Sequence, residues 1–153
     1  VNNIIKKRKI YTLGYEKMTA DNFLNILQVN NIQIVIDVRD KPYSRNKKFS
    51  RKNLVEYLKH AGIDYLHLQA LGSSQHLRNK VRKDSDYNFF FSEYEKHLQN
   101  QHESLKLLRQ TLQKKTICLL CYEKDARLCH RRLIAERLTS FVPKDDNCQV
   151  VHL

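Results

Sequence analysis

Glycine and proline are scarce. The 153-residue chain holds three of one and two of the other, too few for a linker-rich, collagen-like or low-complexity protein. Tryptophan is absent and methionine occurs once. Neither a glycine-rich dinucleotide fingerprint nor a Walker loop is found, so no nucleotide cofactor is expected. No apolar stretch approaches the roughly 20 residues that span a bilayer. The basic run Lys6 to Lys9 is not followed by the apolar core of a secretory signal. These absences predict a cytoplasmic protein with no membrane partner. The four cysteines, Cys118, Cys121, Cys129 and Cys148, all fall in the last quarter of the chain. A secreted disulfide scaffold spreads its cysteines, so a reducing compartment is expected.

What is present is a globular composition with a strong positive bias. Residues 1–153 fit one domain by length, large enough to bury roughly 70% of the surface that the unfolded chain exposes. Hydrophobic residues make up 41%, and 28 Lys and Arg against 16 Asp and Glu leave a formal charge of +12. Such a surface attracts polyanions, of which nucleic acid is the commonest, so a nucleic-acid or nucleotide partner is expected.

Strand and helix patterns alternate. Ile10 to Leu13 is a short apolar run closed by Gly14. Thr19 then caps a helical pattern of Phe23, Leu24, Ile26 and Leu27. Ile32 to Val38 has the β-branched density of a strand buried on both faces. The segment up to Lys52 carries Lys41, Arg45, Lys47, Lys48, Arg51 and Lys52 interleaved with Tyr43 and Phe49, and reads as an exposed basic loop. Ser50 is placed to cap a helix whose inner face is Leu54, Tyr57, Leu58 and Ala61, ended by Gly62. Ile63 to Leu68 alternates as a third strand, and Leu71 to Lys83 reads as a polar loop with the second basic cluster, Arg78, Lys80, Arg82 and Lys83. Two helices follow, over Asp86 to Leu98 and Ser104 to Leu112. The fourth strand ends at Cys121, and Gln149 to Leu153 is a candidate fifth.

This alternation predicts an α/β fold: a mostly parallel sheet of about five strands with helices on both faces, in three layers. Right-handed crossovers put every strand's carboxyl end on one rim. Gly14 to Glu16, Asp37 to Arg39, His67, Leu71 to Ser73 and Cys121 to Glu123 are then expected to be neighbours.

The chemistry concentrates between Thr116 and Leu138. An apolar strand stops at Cys121, a polar loop follows, and Cys129, His130, Arg131 and Arg132 open a helix. Helix amides and guanidinium groups favour thiolate, so Cys121 or Cys129 is the candidate nucleophile. His130 and Glu123 are the candidate proton carriers. Asp37 is placed to orient a base or bind a ribose hydroxyl, and Arg39, Arg45 and Arg131 to hold phosphate. Lys47, Lys48, Arg51, Arg78, Arg82 and Lys83 are the candidate contacts to a nucleic-acid backbone. Each has a plainer reading as core packing, a buried Asp–Arg pair or a solvated positive face. Cys121 and Arg127 have the C-x5-R spacing of cysteine phosphatases and some rhodaneses, but the intervening loop has no glycine for the phosphate cradle. The set Cys118, Cys121, Cys129 and His130 has a zinc-like spacing. Cys118 and Cys121 are three apart on a strand, however, and point to opposite faces, so no metal site is assigned.

Taken in order, Tyr11-Thr-Leu-Gly14, Ile36-Asp37-Val38-Arg39 with Pro42 and Ser44-Arg45, Gly62-Ile63, His67, Leu71-Gly72, Leu119-Leu120-Cys121-Tyr-Glu123 and Cys129-His130-Arg131 resemble the domain of unknown function 488 family. The closing Cys-x-Glu and Cys-His-Arg pair is the most specific part. The resemblance implies a compact α/β domain and assigns no reaction. This chain has Tyr15 and Glu16 where relatives commonly carry His-Ser, Lys48 before Phe49 near where a Pro is usual, and Ser73 in place of a second Gly.

The expected function is an enzyme-like domain acting on a phosphate-bearing substrate, nucleic acid or nucleotide, in a crevice at the strand ends. The rival readings are a non-catalytic nucleic-acid-binding module and a rhodanese- or phosphatase-like thiol transferase.

Overall fold

In the computed structural model, which describes residues 7–144 and 146–153, five parallel strands form one sheet in the order β3-β2-β4-β1-β5. Lys6 of the amino-terminal basic run lies outside the described residues. The strands are β1 (Arg8–Gly14), β2 (Ile34–Asp37), β3 (Asp64–His67), β4 (Ile117–Cys121) and β5 (Cys148–His152). The helices are α1 (Ala20–Val29), α2 (Arg51–His60), α3 (Gln75–Asp84), α4 (Tyr87–Gln99), α5 (His102–Lys114) and α6 (Arg131–Thr139).

The apolar side chains alternate along the central strands and so feed two cores. Tyr11, Leu13, Val35, Cys118 and Leu120 pack with Phe23 and Leu27 of α1 and with Leu54 and Leu58 of α2. Ile10, Ile34, Ile36, Ile117, Leu119 and Cys121 pack on the other face with α4, α5 and α6. β4 lies at the centre of the sheet and is buried along its whole length. This is the three-layer α/β arrangement that the alternating pattern predicts.

Topology creates the crevice. The chain leaving β1 or β2 turns to the α1/α2 face, whereas the chain leaving β4, which lies between them, turns to the α6 face. Adjacent loops therefore part at the carboxyl ends of the strands, where ligands bind in open α/β sheets.

Several local readings change. The segment Leu71 to Lys83 is not a loop, because Gln75–Asp84 is helix α3, with the Ser74 hydroxyl accepting from the Leu77 amide. No α3 residue is fully buried, and its apolar stripe is only Leu77 and Val81, half-buried and one turn apart among charged residues, too short to mark a helix in the sequence. The basic segment before α2 is not wholly exposed either, since it contains a 3-10 turn, Lys47–Phe49, with Phe49 in the core. Ser50 stands at the start of α2 but makes no side-chain cap. Its hydroxyl instead bonds the backbone of Ser44, at 3.1 Å to the amide and 3.2 Å to the carbonyl.

Candidate functional site

Backbone bonds bring the strand ends together. The amides of Tyr15 and Glu16 donate to the carbonyls of Cys121 and Tyr122, at 3.2 and 2.9 Å, and the Val38 amide donates to Leu120 at 3.1 Å. Gly14 stands directly behind this seam. A Cβ added there would lie 1.7 Å from the Glu123 carbonyl oxygen, so only glycine lets β1 and the loop after β4 approach this closely. Gly72 plays the same part on the β3 side, against the backbone of Asp40.

The β2 wall is a closed ion-pair network. Asp37, fully buried at the end of β2, accepts from the Arg39 amide (3.1 Å), Nε (2.9 Å) and Nη2 (2.7 Å), and from the Tyr65 hydroxyl (2.6 Å). Arg39 Nη1 donates to the Tyr15 hydroxyl (3.0 Å) and the Phe49 carbonyl (2.8 Å). Tyr15 stacks on Phe49, with ring centroids 4.4 Å apart. The fork that the sequence reading assigns to phosphate is therefore occupied by Asp37, and Arg39 holds the wall together. Burial, which disfavours the phenolate, together with the Asp37 charge, raises the Tyr65 hydroxyl well above its ordinary value and keeps it a donor.

The β4 wall is different. Cys121 ends the strand, and Cys129 and His130 immediately precede α6. The sulfurs of Cys121 and Cys129 each stand 3.8 Å from His130 Nδ1. His130 Nε2 pairs with the Val38 carbonyl at 2.8 Å, which makes Nε2 the protonated nitrogen. Beneath it, the buried Tyr94 ring meets the imidazole edge-on at 5.0 Å, while the Tyr94 hydroxyl donates to the Leu71 carbonyl. The Cys121 thiol donates to Glu123 Oε2 at 3.3 Å.

Burial opposes charge throughout this cluster. Even so, the Cys121 thiol and the His130 and Arg131 charges hold Cys129 well below the usual thiol range. The Cys129 charge in turn raises His130, while the neighbouring Cys129 sulfur, with burial, keeps Cys121 a thiol. Burial, then the Cys129 charge, raises Glu123.

Cys118 faces the opposite core, as its three-residue offset from Cys121 requires, and burial pushes its thiol up to about 12. Cys148 is half-buried on edge strand β5.

Arg131, expected to hold phosphate, is instead fully buried. It donates to the Thr12 hydroxyl (3.2 Å) and to the carbonyls of Glu123 (2.5 Å) and Lys124 (3.2 Å), fixing the loop after β4. Arg127 turns outward to Asp125 with its side chain 85% exposed, so it does not cradle an anion at Cys121 as a thiol phosphatase requires.

Between and above these walls lies a cleft of about 980 Å³, at the upper end of the size range of ligand pockets. Cys121, Glu123 and His130 reach it, whereas Cys129 lies behind them. Its rim carries Lys17, Lys41, Arg45, Arg78 and Arg82, with Tyr43 and Tyr122 exposed beside them. Arg78 is tied to Asp40, Gln75 and the Ser73 carbonyl. Arg45 and Arg82 have no partner among the described residues. Of the other candidate backbone contacts, Lys47, Lys48, Arg51 and Lys83 are exposed but lie outside the cleft lining.

Sequence reasoning misses the tyrosines. Tyr15, Tyr65 and Tyr94 support the site through space from separate elements, and no local motif links them to it. Tyr43 is the exception, marked in sequence by its place in the basic loop, and Tyr122 carries the signal of standing next to Cys121.

A parallel sheet covered on both faces, with a polar cleft where its loops part, defines a doubly wound α/β protein. Residues 19–138 match the family described as Domain of unknown function DUF488, and the chain belongs to that family. The match runs from the cap of α1 through α6 and includes Asp37, Cys121, Cys129 and His130. No curated protein and no solved structure matches the chain. Among the described residues, no helix is long and apolar enough to cross a membrane.

Proposed function

We propose that the protein is an enzyme acting on a phosphate-bearing substrate, nucleic acid or nucleotide, held in the cleft at the strand ends. One observation carries this reading: a single cleft has Cys121, Glu123 and His130 at its floor and Arg45, Arg78 and Arg82 at its rim. Arg45 and Arg82 hold phosphate, with the charge of Arg78 beside them, and the exposed Tyr43 ring offers a face on which a base stacks. Glu123 is the carboxylate at the reacting end and moves the proton, with the Cys121 sulfur beside it. Arg39 and Arg131, whose donors are already taken by protein groups, position these groups.

The test is fluorescence anisotropy of a labelled single-stranded oligonucleotide across a salt series, with product analysis by mass spectrometry. Arg45→Ala and Arg82→Ala are expected to weaken binding and to lower the salt slope by about one each. Lys83→Ala, outside the cleft, is expected to weaken binding less. Glu123→Gln should bind the oligonucleotide and turn none over. Salt-dependent binding with no product from the wild-type chain would leave a non-catalytic nucleic-acid-binding module in its place. An affinity unmoved by both arginine substitutions would remove the cleft from the account.

A further inference from the structure

We infer that Cys121, Cys129 and His130 form a zinc site, with the fourth coordination position opening on the cleft beside Glu123. The Cys121 and Cys129 sulfurs and the His130 ring nitrogen lie within 4.8 Å of one another, and all three residues are buried. Tetrahedral zinc with Zn–S near 2.3 Å and Zn–N near 2.0 Å separates its ligand atoms by roughly 3.5 to 3.8 Å. The two sulfur–nitrogen separations here are both 3.8 Å, and the sulfurs lie within 4.8 Å of each other, so an ion fits between the donors once the side chains close on it by up to about 1 Å.

The imidazole is already oriented for the task. Its Nε2 proton goes to the Val38 carbonyl at 2.8 Å, which points Nδ1 at the two sulfurs, and a metal ion there would take the place of any proton on Nδ1. A backbone acceptor on the far nitrogen is the support that metal-bound histidines commonly have, and it fixes both tautomer and ring angle. Two thiolates and a neutral imidazole cancel the charge of one divalent ion, which suits a site this deeply buried. Thiolate and imidazole donors together select zinc over magnesium or calcium, which take oxygen ligands.

The arrangement also says what kind of zinc site it is. Three protein ligands with an open fourth position mark a site that binds water or substrate, in contrast to the closed four-ligand structural sites. Cys121 and His130 line the cleft while Cys129 stands behind them. The open position therefore faces the space in which Glu123 Oε2 lies 3.3 Å from Cys121 Sγ. A water held there sits beside a carboxylate, and Cys121 serves as a ligand rather than as the attacking group. The inference takes from the proposed function only the location of the cleft.

The experiment strips the full chain with a chelator under a phosphine reductant and titrates it with Zn²⁺, then with Co²⁺. Expected are one zinc per chain by elemental analysis, and for cobalt the visible absorption of a tetrahedral thiolate site. Cys121→Ser, Cys129→Ser and His130→Ala should each weaken zinc by at least tenfold to a hundredfold. Cys118→Ala and Cys148→Ala should keep one equivalent. Should the serine variants fail to fold, the wild-type chain still decides the matter by thiol alkylation, in which zinc must protect Cys121 and Cys129 and leave Cys148 labelled. Substoichiometric zinc in the wild type, octahedral cobalt, or equal labelling with and without zinc would overturn the site. Full zinc occupancy in a chain that binds no oligonucleotide would sustain the zinc site and discard the proposed function.

Discussion

The two walls of the cleft are both buried, both polar and both built at strand ends, yet they differ in how completely their groups are satisfied. On the β2 side Asp37 accepts four hydrogen bonds and Arg39 donates from all three of its nitrogens. On the β4 side the sulfurs of Cys121 and Cys129 stand at 3.8 Å from the one nitrogen they share. A saturated buried network has no valence left for a ligand and acts as structure. An unsaturated one, in reach of solvent, is where chemistry belongs. The contrast separates residues of the same type: Arg39 and Arg131 are tied into the scaffold, whereas Arg45 and Arg82 line the cleft with no partner among the described residues.

The largest test of this contrast is Asp37→Ala. It leaves the Arg39 guanidinium buried without its counter-charge, and breaking such a pair costs about 3–5 kcal/mol. Urea denaturation of the purified chain should show that loss as a lower midpoint at unchanged slope. A cost under about 1 kcal/mol would mean that the β2 wall is not the fixed element described here.

Next comes Gly14→Ala, at the seam between the walls. The added methyl meets backbone, the Glu123 carbonyl oxygen, rather than a side chain that swings aside. Overpacking of this kind costs about 1–3 kcal/mol. Thermal melting checks the cost, and near-ultraviolet circular dichroism checks whether Tyr15 and Tyr122, whose rings meet edge-on at 5.4 Å, are displaced with the loop. Gly62→Ala is the control: it meets open space, and only its φ of 71° penalises a side chain, by about 1–2 kcal/mol.

Much of this framework is legible before any coordinates. The contiguous β-branched residues Ile34, Val35 and Ile36 mark a strand covered on both faces, and the apolar run ending at Cys121 marks the central strand and the loop that carries the chemistry. The α3 helix is not legible, because its stripe is only Leu77 and Val81 among charged residues. The fate of the arginines is not legible either. Arg131 reads as an anion-binding group at a helix start, but the carbonyls that claim it belong to Glu123 and Lys124, and the Thr12 hydroxyl comes from the far end of the chain. Likewise, the aspartate and arginine of VIDVR are adjacent in sequence, but what saturates them arrives from Tyr15, Phe49 and Tyr65.

Tyr65→Phe probes that saturation with a smaller change. It removes one of four donors to Asp37 while the ring stays in place, and a hydrogen bond to a charged group contributes about 1.5–3 kcal/mol when buried. Tyr65 is only partly buried, so water reaches toward the vacated oxygen and the lower end, about 1.5 kcal/mol, is expected from urea denaturation. A loss as large as that of Asp37→Ala would mean that Tyr65 packing, not the ion pair, holds the β2 wall.

The smallest effect separates two cysteines three residues apart on one strand. Cys118→Ser buries a hydroxyl in an apolar core where the thiol has only a 3.9 Å contact to the Leu119 carbonyl, and an ill-satisfied buried hydroxyl costs about 1–3 kcal/mol. Cys121→Ser, measured on chelator-stripped protein, places its hydroxyl where Glu123 Oε2 already accepts and where the cleft admits water. Its cost is expected to be about 0.5 kcal/mol, because the new group keeps the partner that the old one had. Cys121 thereby contributes little to holding the fold while occupying the most central strand end in the sheet, as expected of a side chain whose partner comes from outside the chain. Equal losses at the two positions would place Cys121 with the core and close the β4 wall as completely as the β2 wall.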